Sequence, residues 1–294
     1  MMRGQKLGIL FAVLAAALYA LNAPLSKMLL ATCPATMMAA LLYLGAGLGM
    51  APVALATRRR ARSSPFSRRD LPYLAAMVAL DSAAPILLMA GLARTEAANI
   101  ALLNNFEIVA TTLIAALLFR ECVSRQLALG VGLVTLSSLL LSLGEAGSLR
   151  FSAGSMLALG ACLCWGMENN CTRRLSDKNP MAIVVIKGFG SGLGSLVIAL
   201  AVGEALPSPA VLLRALPLGF VAYGLSICCY IYAQRFLGAA KTSAYYALAP
   251  FIGAMLSLIL LREAPGARFW AALVIMAAGA WVVTKDALAP ESAG

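Results

Sequence analysis

The 294-residue sequence has no histidine, and charged residues make up only 12% of it. The absence of histidine excludes histidine-ligated metal sites, Ser-His-Asp triads and histidine proton relays. No G-x-x-x-x-G-K-[ST] sequence occurs, so the chain does not carry a P-loop ATPase. The seven cysteines form no C-x-x-C pair, and most lie in apolar runs, which is typical of small buried residues rather than of a metal or redox site.

Hydrophobic residues make up 62% of the chain, and its mean hydropathy is +0.88. A soluble globular domain has about 45–50% apolar and about 25% charged residues. The composition therefore predicts a helical membrane protein with many spans. Arg3 and Lys6 precede an apolar stretch, as in a signal peptide. That stretch is too long for a signal peptide and has a partner in an internal repeat, so we expect it to be retained.

Ten apolar segments follow one another with mostly short connections. Most have a length suited to crossing a bilayer, which takes roughly 20 residues, while the fifth and tenth are short. Their continuous runs, rich in Ala and Leu, favour helices over the alternating strands of a barrel. Numbered 1 to 10, the predicted segments cover residues 7–30, 35–57, 71–93, 97–119, 127–143, 151–172, 181–202, 211–234, 239–261 and 269–284.

The net charge is +11, and the basic residues lie mostly between the segments. This placement indicates membrane orientation rather than nucleic-acid binding. With the N-terminus inside, 16 Lys and Arg residues fall on the inner side and five in the outer loops. Lys27 and Lys187 fall within segments. This bias predicts an even number of spans with both termini in the cytoplasm.

An internal repeat is the most informative pattern in the sequence. Arg120-Glu121 ends segment 4 and Arg262-Glu263 ends segment 9. Other landmarks recur in the same order at separations of 142 to 146 residues. These are Tyr19 and Trp165, Lys27 and Arg173, Pro34 and Pro180, and the pairs Gly45-x-x-x-Gly49 and Gly190-x-x-x-Gly194.

Each repeat holds five segments, so the second copy enters the membrane from the opposite side. We therefore predict an all-α membrane protein with ten transmembrane helices, arranged as a 5+5 inverted repeat around a central cavity. The first repeat covers residues 1–146 and the second 147–286, and 287–294 form a tail. The glycine pairs allow close helix contact, either as static packing or as a surface that slides during transport.

These landmarks resemble the drug/metabolite transporter superfamily, in particular ten-helix members built from two EamA-type repeats. The resemblance covers residues 6–284 and includes Pro250 in segment 9. Two departures are visible: the family often has Gly-Glu in place of the two Arg-Glu pairs, and Ile108 stands where the family has a proline. Within the superfamily, the chain most resembles bacterial aromatic amino-acid exporters, which implies a carrier in the inner membrane.

Three acids lie within predicted spans: Asp81, Glu107 and Glu168. A charge at the bilayer centre costs roughly 2.5–3.5 kcal/mol even on the insertion scale, so each acid is expected to face a wet cavity or a partner. Structural hydrogen bonding and a proton-handling role both remain open for them. Lys187 is a possible ion-pair partner for one acid, or it reaches to the membrane surface.

Helical spacing gathers polar and aromatic side chains into stripes on five segments. We take these stripes to line the cavity, although hydrogen bonding between helices also explains any single stripe. With the acids of segments 3, 4 and 6, the predicted substrate-binding residues are Tyr19, Asn22, Asp81, Asn104, Glu107, Trp165, Glu168, Asn169, Tyr223, Tyr230, Tyr245 and Tyr246.

Carboxylates, amides and aromatic rings suit a solute with an ammonium group and an apolar body. The favoured function is export of amino acids, aromatic or bulky and apolar. The alternatives are a broad exporter of hydrophobic cations and a protein that does not transport. No catalytic constellation, metal site or cofactor site is recognised, so no enzyme activity is expected. The expected partners are a small-molecule substrate and the lipid bilayer, with no nucleic acid, and the expected state is a monomer or weak homodimer.

Overall fold

The computed structural model describes residues 2–57, 65–119, 123–143, 151–175, 178–237, 242 and 245–288. Within these ranges the chain is helical, and its β-structure is one isolated antiparallel bridge between Leu143 and Phe151. The helices are Met2–Ala20, Asn22–Leu29, Ala35–Thr57, Leu71–Arg94, Ala97–Leu103, Phe106–Phe119, Arg125–Ser142, Ala153–Arg173, Pro180–Ala201, Pro209–Gly219, Ser226–Leu237, Ala249–Leu261 and Ala267–Leu288, with a 3-10 turn at Arg68–Asp70 and a π-helical stretch at Phe220–Leu225.

Eight helical stretches in the described ranges are long and apolar enough to cross a membrane. Segments 6 and 9 are not among them. In segment 6, Ala153–Arg173 is too polar because its second half carries Glu168, Asn169 and Asn170, and in segment 9 the helix Ala249–Leu261 has only 13 residues. Large apolar side chains such as Leu117 and Leu213 are exposed on the outer surface. These features indicate a membrane protein that crosses the bilayer several times.

Three predicted helices are interrupted, each for a local reason. Segment 1 breaks at Leu21 because Pro24 has no N–H and its ring crowds the carbonyl of Ala20, four residues earlier. Segment 4 breaks at residues 104–105, where two asparagines favour a turn. Segment 8 widens into a π-helix three residues after Pro217.

Segments of the two halves pack in pairs. Segment 2 contacts segment 7, segment 3 contacts 6, segment 5 contacts 10, segment 1 contacts 8, and the first half of segment 4 contacts 9. Segments 2 and 7 approach to backbone contact because Gly47 faces Gly188. Serine hydroxyls donate to carbonyls of other segments: Ser137 of segment 5 donates to Ala272 of segment 10 over 2.6 Å, and Ser191 of segment 7 donates to Val78 of segment 3 over 3.2 Å.

Most observed helix ends lie within a few residues of the predicted segment ends. The segment 9 helix begins at Ala249 rather than at residue 239, and the last helix, Ala267–Leu288, is longer than the predicted residues 269–284. Several predicted features lie outside the described residues. These are the Arg120-Glu121 pair, most of the arginine cluster after segment 2, and all but the first two residues of the 287–294 tail.

Candidate functional site

The breaks in segments 1 and 4 and the start of the helix Ala249–Leu261 in segment 9 meet around one small cavity. Its lining includes Tyr19 and Asn22 from segment 1, Asn104 from segment 4, and Pro250 and Gly253 from segment 9. Its volume is ≈ 10 Å³, about what one water molecule needs. An organic solute therefore enters this position only if the segments move apart.

The cavity is lined by polar groups and by a helix end. The side-chain oxygen Oδ1 of Asn104 is buried and has no hydrogen-bond partner among the described residues. Pro250 lies in the first turn of the helix Ala249–Leu261, a usual position for proline. Ala249 and Pro250 both line the cavity, so the N-terminus of this helix lies at the cavity with its partial positive charge.

Five tyrosine rings form a continuous chain beside the cavity. Ring centroids lie 5.1 Å apart for Tyr43 and Tyr223, 5.8 Å for Tyr223 and Tyr19, 5.9 Å for Tyr19 and Tyr246, and 5.0 Å for Tyr246 and Tyr230. Such distances are those of favourable aromatic pairs. The rings come from segments 1, 2, 8 and 9, so the chain links both halves of the sequence.

Segment 1 holds the middle of this chain through one amide. Asn22 donates from Nδ2 to the Tyr223 hydroxyl over 3.0 Å, and Ser26 donates to Asn22 Oδ1 over 3.0 Å. All three side chains are buried. Each end of the Asn22 amide therefore makes one hydrogen bond within the protein, which holds its nitrogen against Tyr223.

Glu107 lies near the ring chain and is held by neutral groups. Asn169 donates from Nδ2 to Glu107 Oε1 over 2.7 Å, and the same nitrogen lies 3.3 Å from Thr111 Oγ1. Tyr19 is among the electrostatic neighbours of Glu107. No ion pair of Glu107 is found in the described part of the chain. In the described ranges its carboxylate is therefore held by the neutral Asn169 amide.

The other two predicted acids share one lysine. Lys187 Nζ lies 2.7 Å from Glu168 Oε1 and 3.2 Å from Asp81 Oδ2. Thr172 also donates to Glu168 Oε1, and the Tyr43 hydroxyl donates to Asp81 Oδ1 over 3.2 Å. We call Asp81, Glu168 and Lys187 the acid–lysine triad. It joins segments 3, 6 and 7.

Trp165 lies one turn before Glu168 and is nearly buried, with 7% of its surface exposed. Its indole lies close to the Tyr43 hydroxyl. The neighbouring Gly166 lets segment 6 approach the backbone of segment 4 at Ala110. Trp165 therefore stands between the triad and the first ring of the tyrosine chain.

The structure brings the predicted site residues into two adjacent groups, and it leaves one aside. Tyr245 is half-buried and, among the described contacts, joins neither group. Tyr43 was missed from the sequence, although it contacts the predicted site residue Asp81. The sequence did contain a signal for Tyr43, because its phenol is a polar group among the apolar residues of segment 2. Within the described residues, no group of three or more His, Cys, Asp or Glu residues forms a metal site.

The Arg262-Glu263 pair that marked the repeat has a structural role at one end of the bundle. Both carboxylate oxygens of Glu263 accept hydrogen bonds, from Ala97 N over 2.7 Å and from Ala98 N over 2.9 Å. These N–H groups open the helix Ala97–Leu103, so Glu263 acts as its N-cap from another segment. Arg262 ends its own helix in the left-handed conformation, with φ of 53°.

The same end of the bundle carries two further contacts of this kind. Lys27 donates to the carbonyls of Leu92 and Thr95, the latter over 2.8 Å, where a helix ends and a cation is favoured. Glu204 accepts from Thr36 N and Met37 N over 3.2 and 2.7 Å. Charged residues from segment 1 and from the ends of segments 7 and 9 thus satisfy helix ends of segments 2, 3 and 4.

Comparisons with known proteins agree with this architecture. The family model "EamA-like transporter family" matches the chain twice, over residues 6–143 and 152–285. A protein of Methanothermobacter thermautotrophicus, described as an uncharacterized transporter, is 27% identical over 275 residues, covering 87% of this chain and 80% of that protein. A protein of known crystal structure shares the fold with a TM-score of 0.69 and 17% identity, over 97% of this chain and 100% of that chain.

Proposed function

We propose that this chain, which belongs to the EamA-like transporter family, exports amino acids with aromatic or bulky apolar side chains across the inner membrane of a bacterial cell. Membership makes it a membrane transporter with several spans. The substrate, the direction and the membrane are the proposed part. They extend the resemblance to aromatic amino-acid exporters and the arrangement of charges and rings.

The observation that carries the proposal is the position of Glu107. Its carboxylate has an amide donor, Asn169, and no ion pair in the described ranges, while the tyrosine chain passes beside it. A substrate ammonium group supplies the missing cation, and the unpartnered Oδ1 of Asn104 accepts one of its hydrogens. The acids of the triad suit this role less well because Lys187 already pairs with both of them.

The remaining parts of an amino acid have complementary neighbours. The N-terminus of the helix Ala249–Leu261 faces the small cavity, and helix N-termini favour carboxylates. The rings of Tyr19, Tyr223 and Tyr246 offer faces and edges for an apolar or aromatic side chain. The site thus offers a position for an ammonium group at Glu107, a position for a carboxylate at the start of the helix Ala249–Leu261, and a surface of rings between them. These three features suit a zwitterion with a large side chain.

Transport by alternating access fits the packing of the segments. Each segment of the first repeat corresponds to the segment five places later in the second repeat. If corresponding segments change places, the pairs 2–7, 5–10 and 4–9 stay the same, and the pair 3–6 becomes the pair 8–1. All of these pairs occur, and the family matches each half separately. We therefore propose ten spans in two inverted repeats, 1–146 and 147–286, with both termini in the cytoplasm. Substrate then enters from either side as the segments separate around the closed cavity.

An exporter of hydrophobic cations is the alternative, because an unpaired acid beside tyrosine rings also suits a cation without a carboxylate. The two functions differ in their use of the helix N-terminus at Pro250, which has no role with such a cation. We propose that the transporter works as a monomer or a weak homodimer.

Counterflow in proteoliposomes tests the proposal. Purified protein is reconstituted with internal unlabelled phenylalanine, and the uptake of labelled phenylalanine is measured against protein-free liposomes. We expect uptake that tryptophan and leucine inhibit more strongly than alanine does, with little inhibition by tetraphenylphosphonium. Inhibition by tetraphenylphosphonium alone favours the cation exporter. The absence of uptake for every amino acid tested contradicts the proposal.

A further inference from the structure

The acid–lysine triad is out of charge balance. Two carboxylates and one ammonium group carry a net charge of −1 when all are ionised, and each acid is only 2% exposed. In the described part of the chain, no ion pair of Asp81 or Glu168 other than that with Lys187 is found. A net charge that is buried between helices is strongly unfavourable, so the triad is stable when one carboxyl group holds a proton.

The titratable groups that face the triad do not correct the balance. Tyr43 reaches Asp81 from segment 2, and Cys171 is a neighbour of Glu168 on segment 6. Both are neutral at ordinary pH. Glu107 on segment 4 is a further electrostatic neighbour of Glu168 and adds negative charge rather than positive.

The hydrogen bonds distinguish the two acids. Glu168 Oε1 lies 2.7 Å from Lys187 Nζ and also accepts a hydrogen bond from Thr172, and both contacts stabilise its ionised form. Asp81 Oδ2 lies farther from Lys187 Nζ, at 3.2 Å, and accepts no hydrogen bond from another described residue. Its other oxygen accepts only from the Tyr43 hydroxyl, over 3.2 Å. The proton is therefore better placed on Asp81.

We propose that Asp81 is a proton-binding site, and that the transporter moves protons in exchange for its substrate. The inference rests on the proposed function. In the closed arrangement Asp81 holds a proton and the Lys187–Glu168 pair is neutral. When segments 3, 6 and 7 separate toward one side, water reaches Asp81, which releases its proton there and remains as a carboxylate paired with Lys187. It takes up a proton again when the opposite side opens.

The position of the triad links this exchange to the substrate. Glu168 and Asn169 are consecutive, and Asn169 donates to Glu107, the proposed ammonium site. Thr111 and Gly166 also connect segments 4 and 6 around this pair. An ammonium group bound at Glu107 cancels one negative charge next to the triad, which favours release of the Asp81 proton. Substrate binding and proton release are thus expected to accompany each other.

Proton movement is measured in proteoliposomes that contain a pH-sensitive dye, with the membrane potential clamped by valinomycin and potassium. A phenylalanine gradient is imposed, and labelled phenylalanine flux is measured in parallel. Wild type is expected to move protons in proportion to substrate, and an imposed pH gradient is expected to accumulate phenylalanine. Asp81→Asn is expected to lower the proton movement per substrate molecule at least tenfold.

Asp70→Asn is the matched control, because Asp70 is also an acid paired with a lysine, Lys178, but lies at the end of the bundle. It should move as many protons per substrate as wild type. If Asp81→Asn does not fold, Glu168→Gln is measured instead. A triad with one acid and one lysine is neutral without a bound proton, so this variant should also move fewer protons per substrate molecule. Substrate flux in wild type without proton movement overturns the inference and leaves the proposed function standing. Proton movement that persists in a folded Asp81→Asn variant also overturns it. No amino-acid flux in wild type contradicts the proposed function itself.

Discussion

The side-chain amide of Asn169 donates a 2.7 Å hydrogen bond to the carboxylate of Glu107, and this bond joins segment 6 to segment 4. It orients an acid that has no ion pair among the described residues. The acid lies in the first half of the chain and its donor in the second. The same amide nitrogen lies within reach of Thr111. The bond therefore spans the junction between the repeats at the place where we expect the substrate ammonium group.

Glu107→Gln keeps the shape of the side chain and removes its charge. Hydrogen bonds to charged groups contribute roughly 1.5–3 kcal/mol, so transport is expected to fall about tenfold or more. Phenylalanine and alanine should be affected alike, because both carry the same ammonium group. The measurement is initial counterflow rate per amount of folded protein. A loss confined to phenylalanine contradicts the assigned role of Glu107.

The sequence predicted the helical membrane class and named most of the polar residues that the structure brings together. It did not predict the division of those residues into two groups. The sequence does not distinguish Asp81, Glu107 and Glu168, since each is an acid in an apolar run. Only tertiary packing placed Lys187 between two of them and left Glu107 to Asn169.

The structural role of the Arg262-Glu263 pair also could not be predicted from the sequence. Glu263 accepts from N–H groups that lie 165 and 166 residues earlier, a relation that no local pattern contains. The break in segment 1, in contrast, follows from a rule visible in the sequence, because Pro24 cannot donate to Ala20. Local chemistry was therefore readable, whereas long-range partners required the fold.

Gly188→Ala is expected to destabilise the protein and to abolish close packing of segments 2 and 7. An added Cβ would meet the backbone of Gly47, which cannot rotate away as a side chain can. Overpacking of this kind costs typically about 1–3 kcal/mol. Gly132→Ala is the control, since an added Cβ there has nothing within 4 Å. Thermal unfolding in detergent should show a lower midpoint for the first variant only.

Glu263→Gln is expected to lower the unfolding temperature because the amide holds two backbone N–H groups less well than a carboxylate. Loss of a helix N-cap costs about 0.5–2 kcal/mol. Glu96→Gln is the matched control at the same end of the bundle. Burial and the Glu263 carboxylate raise the pKa of Glu96. Its charge at neutral pH is thus unfavourable to folding, so the control should be no less stable than wild type. Equal destabilisation by both variants contradicts the capping role.

The proposed orientation places the loop after segment 7 outside and the loop after segment 2 inside. Leu206→Cys and Phe66→Cys, each in a protein otherwise free of cysteine, provide exposed positions in these two loops. In intact cells, a membrane-impermeant maleimide is expected to label position 206 and not position 66. After lysis both should react. Labelling of position 66 alone in intact cells reverses the orientation.

Trp165→Ala separates a substrate contact from a packing role. The indole lies between Tyr43 and the triad, and 7% of the side chain remains exposed. If the ring of an aromatic substrate stacks on it, the loss beyond buried area is about 0.5–1.5 kcal/mol, which corresponds to a few-fold to roughly tenfold drop. Phenylalanine transport should then fall more than alanine transport. Trp165→Phe retains a ring and is expected to recover much of the selectivity.

The competing explanation for Trp165 is that the indole only fills space between segments. Truncation would then leave a cavity and cost about 3–5 kcal/mol of stability, with less folded protein and equal losses for all substrates. Transport rates must therefore be divided by the amount of monodisperse protein recovered in detergent. A phenylalanine-to-alanine ratio unchanged from wild type removes Trp165 from the substrate site, because stacking acts only on the substrate that carries a ring.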